Sequence, residues 1–116
     1  MAKKVLMICS GNLDRSPTAA MLLAEMCVPM WVTSAGTESW AKNQLSIELV
    51  EEADVICVME DAHRRFIHER FGHSHAKKVV VLDVPDNYVC FEAKLVHILK
   101  PKLRAALGLA GRTRPA

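Results

Sequence analysis

The sequence predicts an α/β fold: a three-layer, doubly wound sandwich in which helices cover both faces of a four-stranded parallel sheet. Short apolar and β-branched segments alternate with longer segments of helix-forming residues, a pattern typical of parallel sheets. The first apolar segment, residues 5–8, is a continuous run, as expected for a strand buried on both faces. With 116 residues, 51% of them hydrophobic, the chain is long and apolar enough for one buried core.

Eight elements follow from this alternation. The strands are predicted at residues 4–8, 31–34, 54–59 and 78–82, and the helices at residues 16–26, 46–52, 61–71 and 91–107. Ser16 is a favourable N-cap and Pro17 suits the first helical position, while Gly72 is a typical end for the third helix. Pro101 lies inside the last helix and is expected to kink or divide it.

The composition excludes several classes of protein. A formal net charge of +2, without a long run of one sign, argues against nucleic acid as a partner. The N-terminal apolar segment is too short for a signal peptide, and no stretch is long enough to span a membrane. We therefore expect a single domain over residues 1–110, a mobile tail over residues 111–116, and no membrane partner.

The four cysteines indicate a reducing environment. Cys9, Cys27, Cys57 and Cys90 form no CxxC pair and no zinc-binding spacing, so we predict no metal and no cofactor. Cys27 and Cys57 are interpreted as buried apolar groups. The expected location is the cytoplasm, where thiols stay reduced.

The most informative segment lies between the first strand and the first helix, where five residues separate Cys9 from Arg15. A tight loop here needs left-handed backbone angles, which Gly11 and Asn12 can adopt. The loop N–H groups and the helix N-terminus form an anion-binding nest, and the planar guanidinium of Arg15 can hold two oxygens. The predicted phosphate-binding residues are Ser10, Gly11, Asn12, Leu13, Asp14, Arg15 and Ser16.

Cys9 is the predicted nucleophile. The positive field of the nest stabilises a thiolate, which can attack phosphorus, and the Ser16 hydroxyl is placed to donate a hydrogen bond to the sulfur. Hydrolysis also needs a proton donor for the leaving oxygen. Asp83 and Asp86 both follow the fourth strand, at the sheet edge that carries Cys9. The residues alone leave either one as the acid, with a simple turn role as the alternative for Asp86.

The segment 5–19 resembles the signature loop of the low-molecular-weight protein tyrosine phosphatase family; it reads Val-Leu-Met-Ile-Cys-Ser-Gly-Asn-Leu-Asp-Arg-Ser-Pro-Thr-Ala. Residues 32–37, 53–59 and 84–88 are similar to later blocks of that family and occur in the same order. The resemblance implies a flavodoxin-like phosphotyrosine phosphatase I fold. It also implies that Asp86 is the general acid.

Further roles around the loop are implied by the same resemblance. Trp40 and Tyr88 are expected to flank an aryl leaving group, and Asn12 and Ser34 to brace the loop through hydrogen bonds. Residues 38–53 form a shorter connection than the family normally has, so we expect a shallower substrate pocket.

The implied function is hydrolysis of phosphomonoesters through a phosphocysteine intermediate, with a phosphotyrosine protein or a small aryl phosphate as substrate. The alternative is a non-hydrolytic phosphate-binding protein or a cysteine-phosphorylated carrier, although the loop of such carriers lacks the arginine that Arg15 supplies here. Thiol-dependent arsenate reduction is less favoured, because Met59 and Glu60 stand where the relay cysteine usually follows the third strand.

The histidines receive no catalytic role from the sequence. His63, His68 and His97 are expected on helix faces. His73 and His75 are expected in a solvated loop, since no third ligand for a metal is evident.

Overall fold

The computed structural model describes residues 3–26 and 30–108. The strands are β1 (Lys3–Cys9), β2 (Met30–Gly36), β3 (Val55–Val58) and β4 (Val79–Val81). The helices are α1 (Arg15–Glu25), α2 (Ile47–Glu52), α3 (Asp61–Phe71) and α4 (Ala93–Ala106), and a 3₁₀ helix spans His73–Lys78. The predicted alternation of strands and helices is confirmed.

The sheet is parallel throughout, with its strands in the order β2-β1-β3-β4. After β1 the chain moves outward to β2 and then crosses back to β3 on the other side of β1. The crevice between β1 and β3 is therefore the topological switch point, where doubly wound sheets bind ligands beyond the carboxyl ends of their strands. The loop that joins β1 to α1 begins at this point.

Two hydrophobic clusters fill the spaces on the two faces of the sheet. The first joins the sheet to α1 and α4, whose fully buried leucines include Leu22, Leu23, Leu95, Leu99 and Leu103. The second joins the sheet to α2 and α3 through Val50 and Ile67. Met7 packs in the first cluster and Ile8 in the second, because successive side chains of a strand point to opposite faces. The strand β1 is thus buried on both faces, as its continuous apolar run predicts.

The start of α1 differs from the prediction. Asp14 is the N-cap and Arg15 the first helical residue, so Ser16 and Pro17 lie inside the first turn. Pro17 is still tolerated there, because the first N–H groups of a helix have no partner within it. The prediction of Ser16 as N-cap is wrong because its hydroxyl bonds to Asn12 and contacts the Cys9 sulfur instead.

Pro101 was expected to kink or divide the last helix, and it does not divide it: α4 is one helix that continues through Pro101. Pro101 is exposed, whereas Leu95, Leu99 and Leu103 form a fully buried stripe on the inner face. Burial of this stripe holds both halves of the helix against the sheet, although the proline ring removes one backbone N–H.

Within the described residues, no helix has both the length and the apolar character needed to cross a bilayer. The predicted tail over residues 111–116 and the prediction for Cys27 lie outside the described residues.

Replacing Pro101 by alanine is expected to stabilise the protein. Alanine restores the N–H that can bond to the carbonyl of His97, and it removes the clash of the ring with the preceding turn. We expect the free energy of unfolding, measured by urea denaturation, to rise by about 1–3 kcal/mol. Lys100→Ala, at an exposed neighbouring position, is the control and should change it by less than about 0.5 kcal/mol. A less stable Pro101→Ala protein would contradict this account of α4.

Candidate active site

The carbonyl groups at the end of β1 and the start of the following loop all point toward the segment after β2. The bonds run from Thr37 N to Cys9 O at 3.1 Å, from Glu38 N to Ser10 O at 3.0 Å and from Lys42 N to Gly11 O at 3.1 Å. In a trans peptide the C=O and the next N–H point in opposite directions. The N–H groups of Ser10, Gly11 and Asn12 therefore point to the other side, which is the side of the Cys9 thiol.

The Cys9 sulfur lies at the centre of this loop. Its Sγ accepts the N–H of Asn12 at 3.2 Å and lies 3.1 Å from the Oγ of Ser16. Asn12 has a φ of 56°, so it adopts the left-handed conformation that the sequence suggested for the loop. The sulfur thus has two hydrogen-bonding partners, one from the loop backbone and one from the first turn of α1, and a loop of backbone N–H groups at a helix N-terminus is an arrangement that binds anions.

Two glycines allow the loop to pack this closely. At Gly36 a Cβ atom would lie 2.4 Å from the carbonyl oxygen of Ser10 and 2.7 Å from the Cβ of Ala41, so no side chain fits. At Gly11 a Cβ atom would lie 2.4 Å from the ring of Trp40. The Trp40 ring therefore lies directly against the loop, and a side chain at position 11 would have to displace it.

Ser16, rather than Ser34, braces the loop. The fully buried hydroxyl of Ser16 donates to Asn12 Oδ1 at 2.7 Å. Ser34 lies within β2, where its carbonyl accepts from the side chain of Asn43 at 2.6 Å. The predicted pair of Asn12 and Ser34 is replaced by a pair of Asn12 and Ser16, because the register of β1 and β2 places Gly36 beside the end of β1.

Arg15 joins three strand ends. Its side chain is only 1% exposed, and Nη1 donates to the Glu60 carboxylate just after β3 and, at 2.8 Å, to the Val84 carbonyl after β4. The Nε atom lies 3.7 Å from Oδ1 of Asp86. A buried guanidinium needs such partners, and their placement fixes the orientation of its fork beside the loop.

The acid loop, defined here as residues 83–92 between β4 and α4, brings Asp86 to the nucleophile. A cavity of about 290 Å³ is lined by both Cys9 and Asp86. The Asp86 side chain is 63% exposed and faces Arg15. Asp83 lies at the start of the acid loop, where it is exposed and has a φ of 60°. The structure therefore brings Asp86, and not Asp83, to the cavity that contains Cys9.

Two residues that contact the site received no role there in the sequence analysis. Glu60 is the N-cap of α3 and binds Arg15. His63 lies in the first turn of α3, where Nδ1 accepts the N–H of Glu60 at 3.0 Å and Nε2 lies 3.0 Å from Ser10 Oγ. Because Nδ1 is an acceptor, the proton of the neutral ring is on Nε2 and is donated to Ser10. The sequence feature that could have indicated these residues is the capping pair of Glu60 and His63, which directly follows a strand that ends beside Cys9.

Burial sets the protonation state of two side chains near the sheet edge. Burial, and then the positive charge of Arg15, lower the pKa of His63 to about 4, although Glu60 and Asp86 act in the opposite direction. His63 is therefore neutral at neutral pH. Burial raises the pKa of Cys57 to about 12, so Cys57 is an unreactive core thiol, and its predicted burial is confirmed.

The cavity has an apolar wall and an acidic rim. Trp40 is 63% exposed and Leu13 is 52% exposed, and both line the cavity above Cys9. Asp14 and Glu38 also line it. Because a flat apolar group can pack on Trp40 and Leu13, the wall suits an aryl group attached to a bound phosphate.

Tyr88 lies away from this wall. It is half-buried, packs against the first core cluster and lines a separate shallow cavity with Ala93 and His97. Val89 and Phe91 are the exposed apolar residues of the acid loop. The structure brings Trp40 to the predicted position at the cavity but does not bring Tyr88 there.

Across residues 3–26 and 30–108, no three His, Cys, Asp or Glu side chains converge as a metal site requires. His73 and His75 lie in the 3₁₀ helix rather than in an irregular loop. The ring centroids of His68 and His73 are 4.7 Å apart.

The buried His63 is expected to make the protein less stable in acid. Its unfolded pKa is the ordinary 6.5 and its folded pKa about 4, so between these values the unfolded chain binds a proton that the folded protein excludes. Stability is therefore lost as the pH falls from about 6.5 to about 4, by roughly 3 kcal/mol in total.

Urea denaturation of the wild type and of His63→Gln at pH 7 and pH 4.5 measures this loss. We expect the His63→Gln protein to lose less stability over this interval, since glutamine does not titrate. His97→Gln, which changes an exposed histidine, is the control and should behave like the wild type. Parallel losses in the wild type and in His63→Gln would contradict the assignment of a neutral, buried His63.

Comparison with known proteins gives matches among solved structures, whereas no protein-family model and no curated protein matches the sequence. The tyrosine phosphatase Wzb from Escherichia coli K30, in complex with phosphate, matches with a TM-score of 0.77 and 22% identity over 95% of this chain and 100% of that chain. The low-molecular-weight phosphotyrosine phosphatase from Vibrio cholerae O395 matches with a TM-score of 0.76 and 20% identity over 99% and 100% of the two chains. The YwlE arginine phosphatase from Geobacillus stearothermophilus matches with a TM-score of 0.71 and 23% identity over 98% of each chain. The predicted fold is thus confirmed: the chain has the three-layer α/β fold of these phosphatases over nearly its whole length.

Proposed function

We propose that this protein is a cysteine-dependent phosphomonoester hydrolase that acts on phosphotyrosine in proteins or on small aryl phosphates. The observation that carries the proposal is the convergence of four groups at one cavity: the Cys9 thiol, the amide-lined loop, the Arg15 guanidinium and the Asp86 carboxyl group. The solved structures with the same fold support it, since they are described as tyrosine or arginine phosphatases and one holds phosphate.

In the first step, the phosphoryl group moves from the substrate to Cys9. The sulfur attacks phosphorus, and the S–P bond forms as the ester P–O bond breaks. Asp86 gives its proton to the leaving oxygen. The loop N–H groups and Arg15 hold the other three phosphoryl oxygens, where negative charge is spread in the transition state.

In the second step, water releases the phosphoryl group. Asp86 is now a carboxylate and takes a proton from a water molecule. The oxygen of that water attacks phosphorus, and the S–P bond breaks. The products are inorganic phosphate and the Cys9 thiolate, which Asn12 N–H and Ser16 are placed to stabilise. The nucleophile must remain reduced between turnovers, so the proposal includes a cytoplasmic location.

The choice of an aryl substrate rests on the cavity wall. Trp40 and Leu13 offer apolar surface beside the anion site. A phosphorylated guanidinium, the other kind of group suggested by the fold, would place a charged and strongly polar leaving group on the same surface. Aryl phosphates are therefore the expected class, and phosphoarginine is a contrasting test substrate.

The first test of the proposal is hydrolysis of 4-nitrophenyl phosphate. We expect turnover that a metal chelator does not reduce, because sulfur, amides and one guanidinium supply the chemistry. Cys9→Ser should lower kcat by orders of magnitude, since an alcohol is a far poorer nucleophile than a thiolate at neutral pH. Cys90→Ser is the matched control and should retain activity, because Cys90 does not line the cavity that contains Cys9.

The same experiment separates the alternatives. A carrier would accumulate a stable phosphocysteine without releasing inorganic phosphate, and a binding protein would bind phosphate without turnover. Activity that survives Cys9→Ser, or that disappears with the chelator, would overturn the mechanism. Faster hydrolysis of phosphoarginine than of aryl phosphates would overturn the choice of substrate class.

The second test distinguishes Asp86 from Asp83. Asp86→Asn should reduce kcat/KM most for substrates with a poor leaving group, such as phenyl phosphate, by roughly 10²-fold or more. The loss should be smaller for 4-nitrophenyl phosphate, whose leaving group needs little protonation. In Asp83→Asn, asparagine tolerates the left-handed backbone at this position. Any change in kcat/KM of this variant should be the same for good and poor leaving groups. If Asp83→Asn shows that dependence and Asp86→Asn does not, the acid has been assigned to the wrong residue.

A further inference from the structure

The acid loop is anchored at its start. Val84 is fully buried, its N–H donates to the Met59 carbonyl at 2.7 Å, and its carbonyl accepts from Arg15 at 2.8 Å. Residues 85–87 are exposed, and Asp86 lies in this stretch. The position of its carboxyl group therefore depends on how the rest of the loop is held.

A second anchor lies at the far end of the acid loop, on Thr18 of α1. The N–H of Phe91 donates to Thr18 Oγ1 at 2.9 Å, and Thr18 is fully buried. The same hydroxyl donates to the carbonyl of Asp14 at 2.6 Å, and the Cys90 sulfur lies farther from it, at 3.8 Å. The Thr18 hydroxyl thus bonds to the end of the phosphate-binding loop and to the acid loop at the same time.

The backbone at this second anchor is under strain. Phe91 has a φ of 61°, a conformation that an aromatic residue rarely adopts, and its side chain is 53% exposed. Local bonds between Val89 and Glu92 form a compact turn around it, with Val89 N donating to Glu92 Oε1 at 3.0 Å and Glu92 N donating to the Val89 carbonyl at 3.1 Å. The Phe91 side chain is largely exposed, so this turn is joined to α1 through Thr18, by the Phe91 N–H bond and by the contact of the Cys90 sulfur with the same hydroxyl at 3.8 Å.

We propose that Thr18 is a positioning residue that sets the place of Asp86 above the phosphate site. Arg15 and Thr18 are three positions apart in the sequence and lie on the same face of α1. The helix whose N-terminus faces the anion therefore also holds both ends of the loop that carries the acid. The inference rests on the proposed function and adds a residue that touches neither substrate nor nucleophile.

The test replaces Thr18 by valine, which keeps the branched shape and removes both hydrogen bonds. We expect kcat/KM for phenyl phosphate to fall at least tenfold, while kcat/KM for 4-nitrophenyl phosphate changes by less than about threefold, since only the first substrate depends strongly on the acid. Thr18→Ser keeps the hydroxyl and should restore the wild-type ratio of the two substrates. Thr18→Ala serves as a second variant if the valine protein does not fold.

A double-mutant comparison isolates the effect on Asp86. In an Asp86→Asn background, Thr18→Val should cause no further loss for phenyl phosphate, because the group that it positions is already absent. Amide hydrogen exchange should become faster in residues 84–92 of Thr18→Val, and it reports on the anchor without any need for turnover.

Three results would overturn this inference while leaving the proposed function in place. The first is a Thr18→Val protein whose kcat/KM depends on the leaving group as in the wild type. The second is an equal loss of kcat/KM for both substrates in Thr18→Val. The third is a further loss of kcat/KM when Thr18→Val is added to Asp86→Asn. A wild-type protein that hydrolyses neither substrate would instead overturn the proposed function, and the inference with it.

Discussion

The site depends on one buried charge, the guanidinium of Arg15. A cation that is 1% exposed is stable only if partners surround it, and here the partners come from the ends of two strands other than the one that precedes the arginine. The carboxylate of Glu60 follows β3, the carbonyl of Val84 follows β4, and the arginine itself follows the loop after β1. The hydrogen bonds of this guanidinium therefore hold the phosphate-binding loop, the start of α3 and the acid loop close to one another.

The charge balance around Arg15 also bears on how a substrate enters. Nε faces Asp86 at 3.7 Å, and Nη1 donates to Glu60. The contact with Asp86 is long and its side chain is exposed, whereas the Glu60 contact is a direct hydrogen bond. A phosphoryl oxygen can take the place of the Asp86 contact without leaving the buried cation unpaired. Asp86 is then free to turn toward the leaving oxygen, while Glu60 keeps the fork oriented.

The parts of the site that are local in sequence were predictable from their own residues. Cys9, Asn12 and Arg15 belong to one short loop, and the residues of that loop are enough to predict its left-handed backbone angles. The structure places these three residues together.

Of the residues that meet this loop only in the folded protein, Asp86 and Trp40 were predicted through the family resemblance, whereas Glu60 and His63 were not. Glu60 and His63 come from another strand end, and in the sequence they look like an ordinary helix start.

Three predictions differ from the structure for the same reason. Each residue had two possible environments in the sequence, and packing in the folded protein decided between them. Ser16 could cap a helix or brace the loop, and burial beside Cys9 favours the loop. Tyr88 could face the cavity or the core, and it packs toward the core, whereas Trp40 lies against Gly11. Pro101 could break α4, but the buried stripe on the inner face keeps the helix continuous.

The hydroxyl of Ser16 has one proton and two neighbours that can accept it, Asn12 Oδ1 at 2.7 Å and Cys9 Sγ at 3.1 Å. When the proton points to Asn12, the loop is braced and the sulfur can carry its own proton. When the sulfur is a thiolate, the same proton turns toward it and the brace is released. The hydrogen bonding of the loop is therefore coupled to the charge on the Cys9 sulfur, because a single serine proton can serve either the sulfur or the Asn12 side chain.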